Sequence, residues 1–249
     1  MTDQTDACWA LMPELIEEVR QVGRALAMPY IAAQSDLGDP EPMSDRDGRP
    51  YAETAFEWLD PEHRYWEDRK LALRVPFLAA ARVFSEPFYY TQGRLYSWRP
   101  TAALDVIDCR PELHSENLGE AVVAPVHMPR GLVGAILWCS REPVDVARRI
   151  SEHAERLFAA ATRLVTTHVE ARGQARLDAA PHRLTRREVQ CLRWAAAGKT
   201  DPEIGIILSL SVSTVRFHLR NAAGKLGASG RSSAIQKAAG LGFVGARLA

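Results

Sequence analysis

Apolar positions along the chain change period several times, and each change marks a predicted element. Leu15, Val19, Val22 and Leu26 recur at helical spacing behind Pro13, which suits a first helical turn, and Pro29 closes the segment, so an amphipathic helix is predicted over 11–28. Tyr30 to Gln34 reads as a strand, and Ser35 to Pro50, crowded with Asp, Gly and Pro, as an exposed loop. The pattern turns helical again from about Pro61 to Phe84, with Pro76 as a kink or boundary. Phe88 to Trp98 is aromatic and alternating. The runs Ala121 to Met128 and Leu132 to Cys139, with Gly131 between them, predict an antiparallel hairpin.

From Val144 to His168, Ala147, Ile150, Ala154, Leu157, Ala161 and Leu164 alternate spacings of three and four, flanked by charge. This seam fits a coiled-coil-like dimer contact, or a helix that packs on the chain's own sheet with Phe158 and Val165 widening the stripe. Helices on both sides of a short antiparallel sheet predict an α/β/α sandwich, within an α+β chain overall.

The C-terminal stretch has a different grammar. Thr185 to Glu188 and Thr200 to Glu203 each have the form of a capping box, in which a Thr oxygen accepts from the third amide and the Glu reaches back to the cap. The first helix carries Val189, Leu192 and Ala196 and stops at Gly198; the second carries Ile204, Ile207 and Leu208. Ser211 caps a third helix with Val215, Leu219, Ala222 and Leu226 inward, and a fourth follows around Ala234 to Leu241. Only Ser209 to Ser211 join the second and third helices, the length of a helix-turn-helix connection. The inward set leaves Arg216, Phe217 and Arg220 outside, and the two arginines, four apart, share one face from which guanidinium can pair with guanine. Ser213, Thr214, Lys199, Thr200, Lys225 and Arg231 surround them as donors suited to phosphate. Any single arginine here would also suit a solvated helix face.

Charge sharpens this division. Residues 1–171 hold 18 basic and 27 acidic side chains, and residues 172–249 hold 13 and 4, although the whole chain of 249 residues is neutral. A basic module of domain size beside an acidic one points to nucleic acid as a partner. Residues 1–170 are therefore read as a regulatory and dimerisation domain, 171–183 as a linker and 184–249 as a helix-turn-helix domain that binds double-stranded DNA. With 47% hydrophobic and 25% charged residues, the composition argues against a mainly disordered chain. Apolar runs end well short of the ~20 residues of a membrane span, and Asp3 and Asp6 stand where a signal peptide carries cations, so a cytoplasmic protein is expected. The four cysteines lack CxxC spacing, the seven histidines are dispersed, and no phosphate-loop glycine pattern occurs. Neither an enzyme nor a cofactor or metal site is expected. A receiver domain would need alternating strands and helices, which the hairpin pattern does not provide.

The run LTRREVQCLRWAAAGKTDPEIGIILSLSVSTVRFHLRNAAGKLGASGRSSAIQKA resembles the DNA-binding domain of LuxR-type transcriptional regulators along its whole length. Gly205 replaces the usual Ala, which should weaken the second helix slightly. The resemblance implies that Arg216, Phe217 and Arg220 read DNA, and a two-fold dimer to which the seam from Ala147 to Leu164 contributes would place two such faces on a roughly palindromic site. YWEDRKLALRVPFLAAARVFSEPFYY and AVVAPVHMPRGLVGAIL are similar to the pocket helix and central hairpin of the family's acyl-homoserine-lactone-binding domain. The anchors of that domain are largely replaced: its Trp falls at Glu62, its Tyr at Trp66, its Asp at Val75, its second Trp at Tyr90, its Gly at Ala121 and a hydroxyl position at Leu137, while Pro76 is kept. Without the carboxylate that accepts from the signal's amide, affinity for such lactones should fall by orders of magnitude. Trp58, Trp66, Val75, Phe88, Tyr90, Ala121 and Leu137 then either line a pocket for an apolar or aromatic small molecule, or form a filled core gated by a protein partner.

Overall fold

The computed structural model describes residues 2–60, 62, 64, 67, 75–107, 109, 118–173 and 184–245, which fall into two compact units, one within residues 2–128 and 132–173 and the other made of residues 129–131 and 184–245. In the first unit the chain runs through α1 (Thr2–Leu26), β1 (Tyr30–Gln34), α2 (Tyr51–Thr54), α3 (Pro76–Val83), β2 (Phe88–Thr91), β3 (Arg94–Tyr96), α4 (Ala102–Asp105), β4 (Glu120–His127), β5 (Val133–Ser140) and α5 (Val146–Ala171). The described strands make one antiparallel sheet in the order β1-β5-β4-β2-β3.

β4 and β5 are the expected hairpin, each shifted by one residue, with Glu120 opposite Ser140 and His127 opposite Val133. Their side chains alternate between two cores. Val122, Ala124, Val126, Ile136 and Trp138 join one face to α1 and α5 through Val19, Val22, Leu26, Leu157 and Leu164. Ala121, Val123, Ala135 and Cys139 face the other way, with Phe88 and Tyr90 from β2, Phe77, Ala80 and Ala81 from α3, and Leu104 from α4. The predicted sandwich with helices on both faces of a short sheet is the observed architecture.

Three points correct or complete the expectations. α1 begins at Thr2, and Pro13 lies inside it. Cys8 and Met12 extend the buried stripe two turns upstream, while Pro13 sits on the exposed side, where the carbonyl it leaves unbonded can meet water. Second, the aromatic run 88–98 is itself a hairpin, turning at Gln92 and Gly93 with φ of 48° and 81°, a pair of left-handed residues that suits a two-residue turn. Third, the seam of α5 is internal. Ile150, Leu157, Ala161 and Leu164 are buried in the first core, whereas Ala147, Ala154 and Phe158 are exposed, so the stripe packs on the chain's own sheet and on α1. The segment predicted as helical from 61 lies mostly outside the described residues until Val75; from Pro76, at the first helical position, the prediction holds.

His168 near the end of α5 is fully buried between the Trp9 and Tyr51 rings. Its Nε2 lies 2.9 Å from the Ser44 carbonyl and its Nδ1 2.8 Å from the Ser35 hydroxyl, which satisfies a neutral ring donating from Nε2 and accepting at Nδ1. Burial pushes its pKa down to about 4 against the opposing hydrogen bond to Ser44, with the Arg172 charge adding to the fall. An unfolded histidine titrates near 6.5, so between that value and about 4 the unfolded chain holds a proton that the folded one lacks. The contribution of His168 to stability is therefore fully present above pH ~6.5 and is lost as pH falls through that window, by about 3 kcal/mol at its end. Melts between pH 7.5 and 4.5 should show this loss, and His168→Gln should show a shallower slope; equal slopes would refute the assignment.

Candidate functional site

The second unit contains α6 (Arg186–Ala196), α7 (Asp201–Leu208), α8 (Val212–Lys225) and α9 (Arg231–Gly240). At the start of α6, the Glu188 amide donates to Thr185 Oγ1 at 3.3 Å and the Thr185 amide to Glu188 Oε2 at 2.7 Å. At α7 the Thr200 amide and hydroxyl both donate to Glu203 Oε2, at 2.8 and 2.7 Å. Both predicted boxes are thus in place. Gly198, with φ of 81°, ends the first helical segment as expected.

The turn into α8 is set by Ser209, in the left-handed region at φ 54°, and by the Leu210 amide, which donates to the Gly205 carbonyl at 2.8 Å. A Cβ at Gly205 would stand 2.7 Å from the Leu210 oxygen. Glycine thus permits the close return of the chain here, besides its cost in helix propensity. Ser211 then caps α8, accepting from the Thr214 amide at 3.1 Å and sharing its hydroxyl with Ser213 and Thr214 at 2.8 and 2.7 Å.

The core of this unit corrects two predicted faces. On α6 the buried side chains are Glu188, Cys191, Leu192 and Ala195, whereas Val189 is half-buried and Ala196 exposed. On α7 they are Ile204 and Gly205; Ile207 is 40% exposed. The α6 stripe turns because Glu188 goes inward: its carboxylate takes Lys225 Nζ at 2.8 and 2.9 Å. Burial drives that carboxyl upward, but Lys225 together with the amide and hydroxyl of Thr185 outweighs it and holds the group below the ordinary range. Val215, Leu219, Ala222 and Leu226 are buried as predicted.

Arg216, Phe217 and Arg220 are exposed on α8, and Phe217 meets His218 edge-on at 5.6 Å. Arg216 and Arg220 line a groove of about 450 Å³ with Asp201, Leu219, Gly224 and Arg231. The arginines are not equivalent. Arg216 donates through Nε to Asp201 Oδ2 at 3.2 Å, and Arg220 makes no hydrogen bond or ion pair among the described residues. The predicted phosphate donors also differ from one another. Lys225 is held by Glu188, Lys199 lies 3.5 Å from Glu203 Oε1, and Arg231 is bound to Asp201 and to the Lys199 carbonyl. Glu188 and Asp201 are the functional neighbours that the sequence reading missed. Glu188 was legible only as a cap, and nothing in the pattern pairs Asp201 with residues 15 and 30 positions on.

In the first unit, Phe88, Tyr90 and Ala121 are buried in the second core, with Trp58, Val75 and Leu137 packed against it, and Trp66 falls outside the described residues. Tyr90 meets Phe77 edge-on at 5.4 Å. Val75 is the residue before α3 and is extended, so its side chain offers no oxygen to the first amides of that helix. Among the described residues no group of three or more His, Cys, Asp or Glu could hold a metal ion, and no helix is long and apolar enough to cross a membrane.

Residues 182–238 match the family described as bacterial regulatory proteins, luxR family. The transcriptional activator protein VanR of Vibrio anguillarum is 37% identical over 135 residues, 53% of this chain and 55% of that protein. The HTH-type quorum sensing-dependent transcriptional regulator RpaR of Rhodopseudomonas palustris is 51% identical over 63 residues, 25% of this chain and 26% of its own length. The transcriptional activator protein PhzR of Pseudomonas fluorescens is 29% identical over 189 residues, 74% of this chain and 73% of that one. The matched region thus spans about half of VanR and a quarter of RpaR. With both capping boxes, the Ser209 turn and the outward arginines in place, residues 182–238 form a helix-turn-helix domain of the kind described as bacterial regulatory proteins, luxR family.

Proposed function

We propose that this chain is a cytoplasmic, dimeric, sequence-specific transcriptional regulator. In it, residues 184–249 bind double-stranded DNA, 171–183 link, and 1–170 regulate by sensing a small molecule other than an acyl-homoserine lactone. The observation that carries this reading is the single outward face of α8, where Arg216, Phe217 and Arg220 stand clear of a core closed by Val215, Leu219 and Ala222. A guanidinium there can donate two hydrogen bonds to guanine, and the Phe217 ring can meet a thymine methyl. Selection from a pool of randomised duplexes tests it: the chain should enrich one roughly palindromic sequence, and enrichment of none would sink the reading.

For the sensing domain, Val75 and Leu137 line the second core with methyl groups where the family places polar partners. The full burial of Phe88 and Ala121 favours the second reading, a filled core gated by a protein partner. Thermal melts with a panel of short and long acyl-homoserine lactones should show no stabilisation, since a ligand at 100 times its Kd would add ~2.7 kcal/mol. A shift with any member refutes both readings of this domain. An apolar or aromatic compound that raises the melting temperature favours the sensor over the filled core.

A further inference from the structure

We propose that Asp201 is a positioning residue for DNA readout: it orients Arg216 so that the outer fork of its guanidinium is presented to one base. The inference deepens the DNA-binding reading and rests on it. Asp201 is the first residue of α7, with its side chain only 19% exposed, and its two oxygens are shared between two arginines. Oδ2 accepts from Arg216 Nε at 3.2 Å, and Oδ1 accepts from Arg231, whose other terminal nitrogen is tied to the Lys199 carbonyl. The carboxylate is thereby fixed from behind, by an arginine that is itself anchored to backbone.

Which nitrogen of Arg216 is engaged decides what remains. A guanidinium has five donors in one plane, and the edge that meets guanine O6 and N7 in a bidentate pair is the one formed by the two terminal amino groups. Asp201 takes Nε, and both terminal nitrogens are without a partner among the described residues. The plane is held at its inner corner while the outer edge stays free, so less side-chain freedom is lost when a base is met. Arg220, one turn further on, has no such partner. The same carboxylate is a negative charge at the edge of a basic surface, where it disfavours phosphate and hence sequence-independent binding. Both effects act on discrimination rather than on affinity as such.

The test measures Kd for the duplex recovered by selection and for its scrambled counterpart, at one salt concentration, with the full chain. Asp201→Ala should reduce the ratio of the two constants by about tenfold, the equivalent of ~1.4 kcal/mol, while binding to the scrambled duplex is kept or strengthened. In an Arg216→Ala background the same replacement should change the ratio by no more than about threefold, because the residue that Asp201 orients is gone and only its repulsion of phosphate remains. Asp201→Asn, neutral and of the same shape, stands in if the alanine variant melts early, with an expected loss of at least about threefold. A ratio unchanged in both single variants, a parallel loss on both duplexes, or an undiminished effect without Arg216 overturns the inference. If the unmodified chain itself fails to separate the two duplexes, the DNA-binding reading fails first and takes the inference with it.

Discussion

Leu157→Glu should unfold the first unit rather than dissociate a dimer. Leu157 is fully buried in the core between the sheet, α1 and α5. Its removal alone costs about 2 to 5 kcal/mol, and a carboxylate in its place must either be desolvated or take up a proton. The sum approaches the entire ~5 to 15 kcal/mol by which a domain of this size is stable. Far-UV circular dichroism should show the loss of helix, and hydrogen exchange should place it within residues 2–173. Phe158, the next residue, is 43% exposed, and Phe158→Glu should change stability by no more than ~0.5 kcal/mol. Sedimentation of Phe158→Glu therefore tests whether the exposed strip of α5 contributes to dimerisation, which the buried seam cannot. A folded Leu157→Glu protein would mean that the helix can rotate out of its packing.

Arg220→Ala should cost about 1 to 3 kcal/mol of discrimination between specific and scrambled duplexes, roughly tenfold to a hundredfold, with no change in melting temperature. The absence of a structural cost follows from its surroundings: no carboxylate is left unpaired when it is removed. Arg216→Ala should lose a similar share of discrimination, but it also leaves Asp201 to Arg231 alone, so a small shift in stability is expected there and not at Arg220. Arg220→Lys should fail to restore binding, because an ammonium cannot make the two parallel bonds of a guanidinium. Fluorescence anisotropy isotherms with paired melts check all three. Discrimination unchanged in both alanine variants would remove these residues from the reading face.

The elements that were legible in the sequence are those whose signals are local. The β4–β5 hairpin follows from two apolar runs, the first of them β-branched, with Gly131 between them, and the three helix starts at Thr185, Thr200 and Ser211 follow from cap chemistry within four residues. What was hidden depends on distant partners. The upstream turns of α1 exist because Cys8 and Met12 are buried in the folded unit, a benefit that outweighs the local penalty of Pro13. Glu188 counts as polar in any periodicity, yet it is buried because Lys225, 37 residues away, meets it. The role of Asp201 is equally non-local. In the first unit, the replaced anchors could be read from the resemblance, but their collection into one core with Phe88 and Tyr90 required the strand register.

The pairing of acidic with basic side chains in the second unit bears on ionic strength. Residues 172–249 contain four acidic side chains, and three of them, Glu188, Asp201 and Glu203, are engaged by Lys225, by Arg216 and Arg231, and by Lys199. Cations already neutralised within the protein displace few ions from a polyanion unless those internal bonds break. Each phosphate contact that does form steepens the dependence of log K on log salt by about 0.9, so the slope for this chain should be set by the few phosphate contacts its internally unengaged cations make rather than by the 13 basic residues of its C-terminal part. Binding should therefore persist to higher salt than the formal charge suggests.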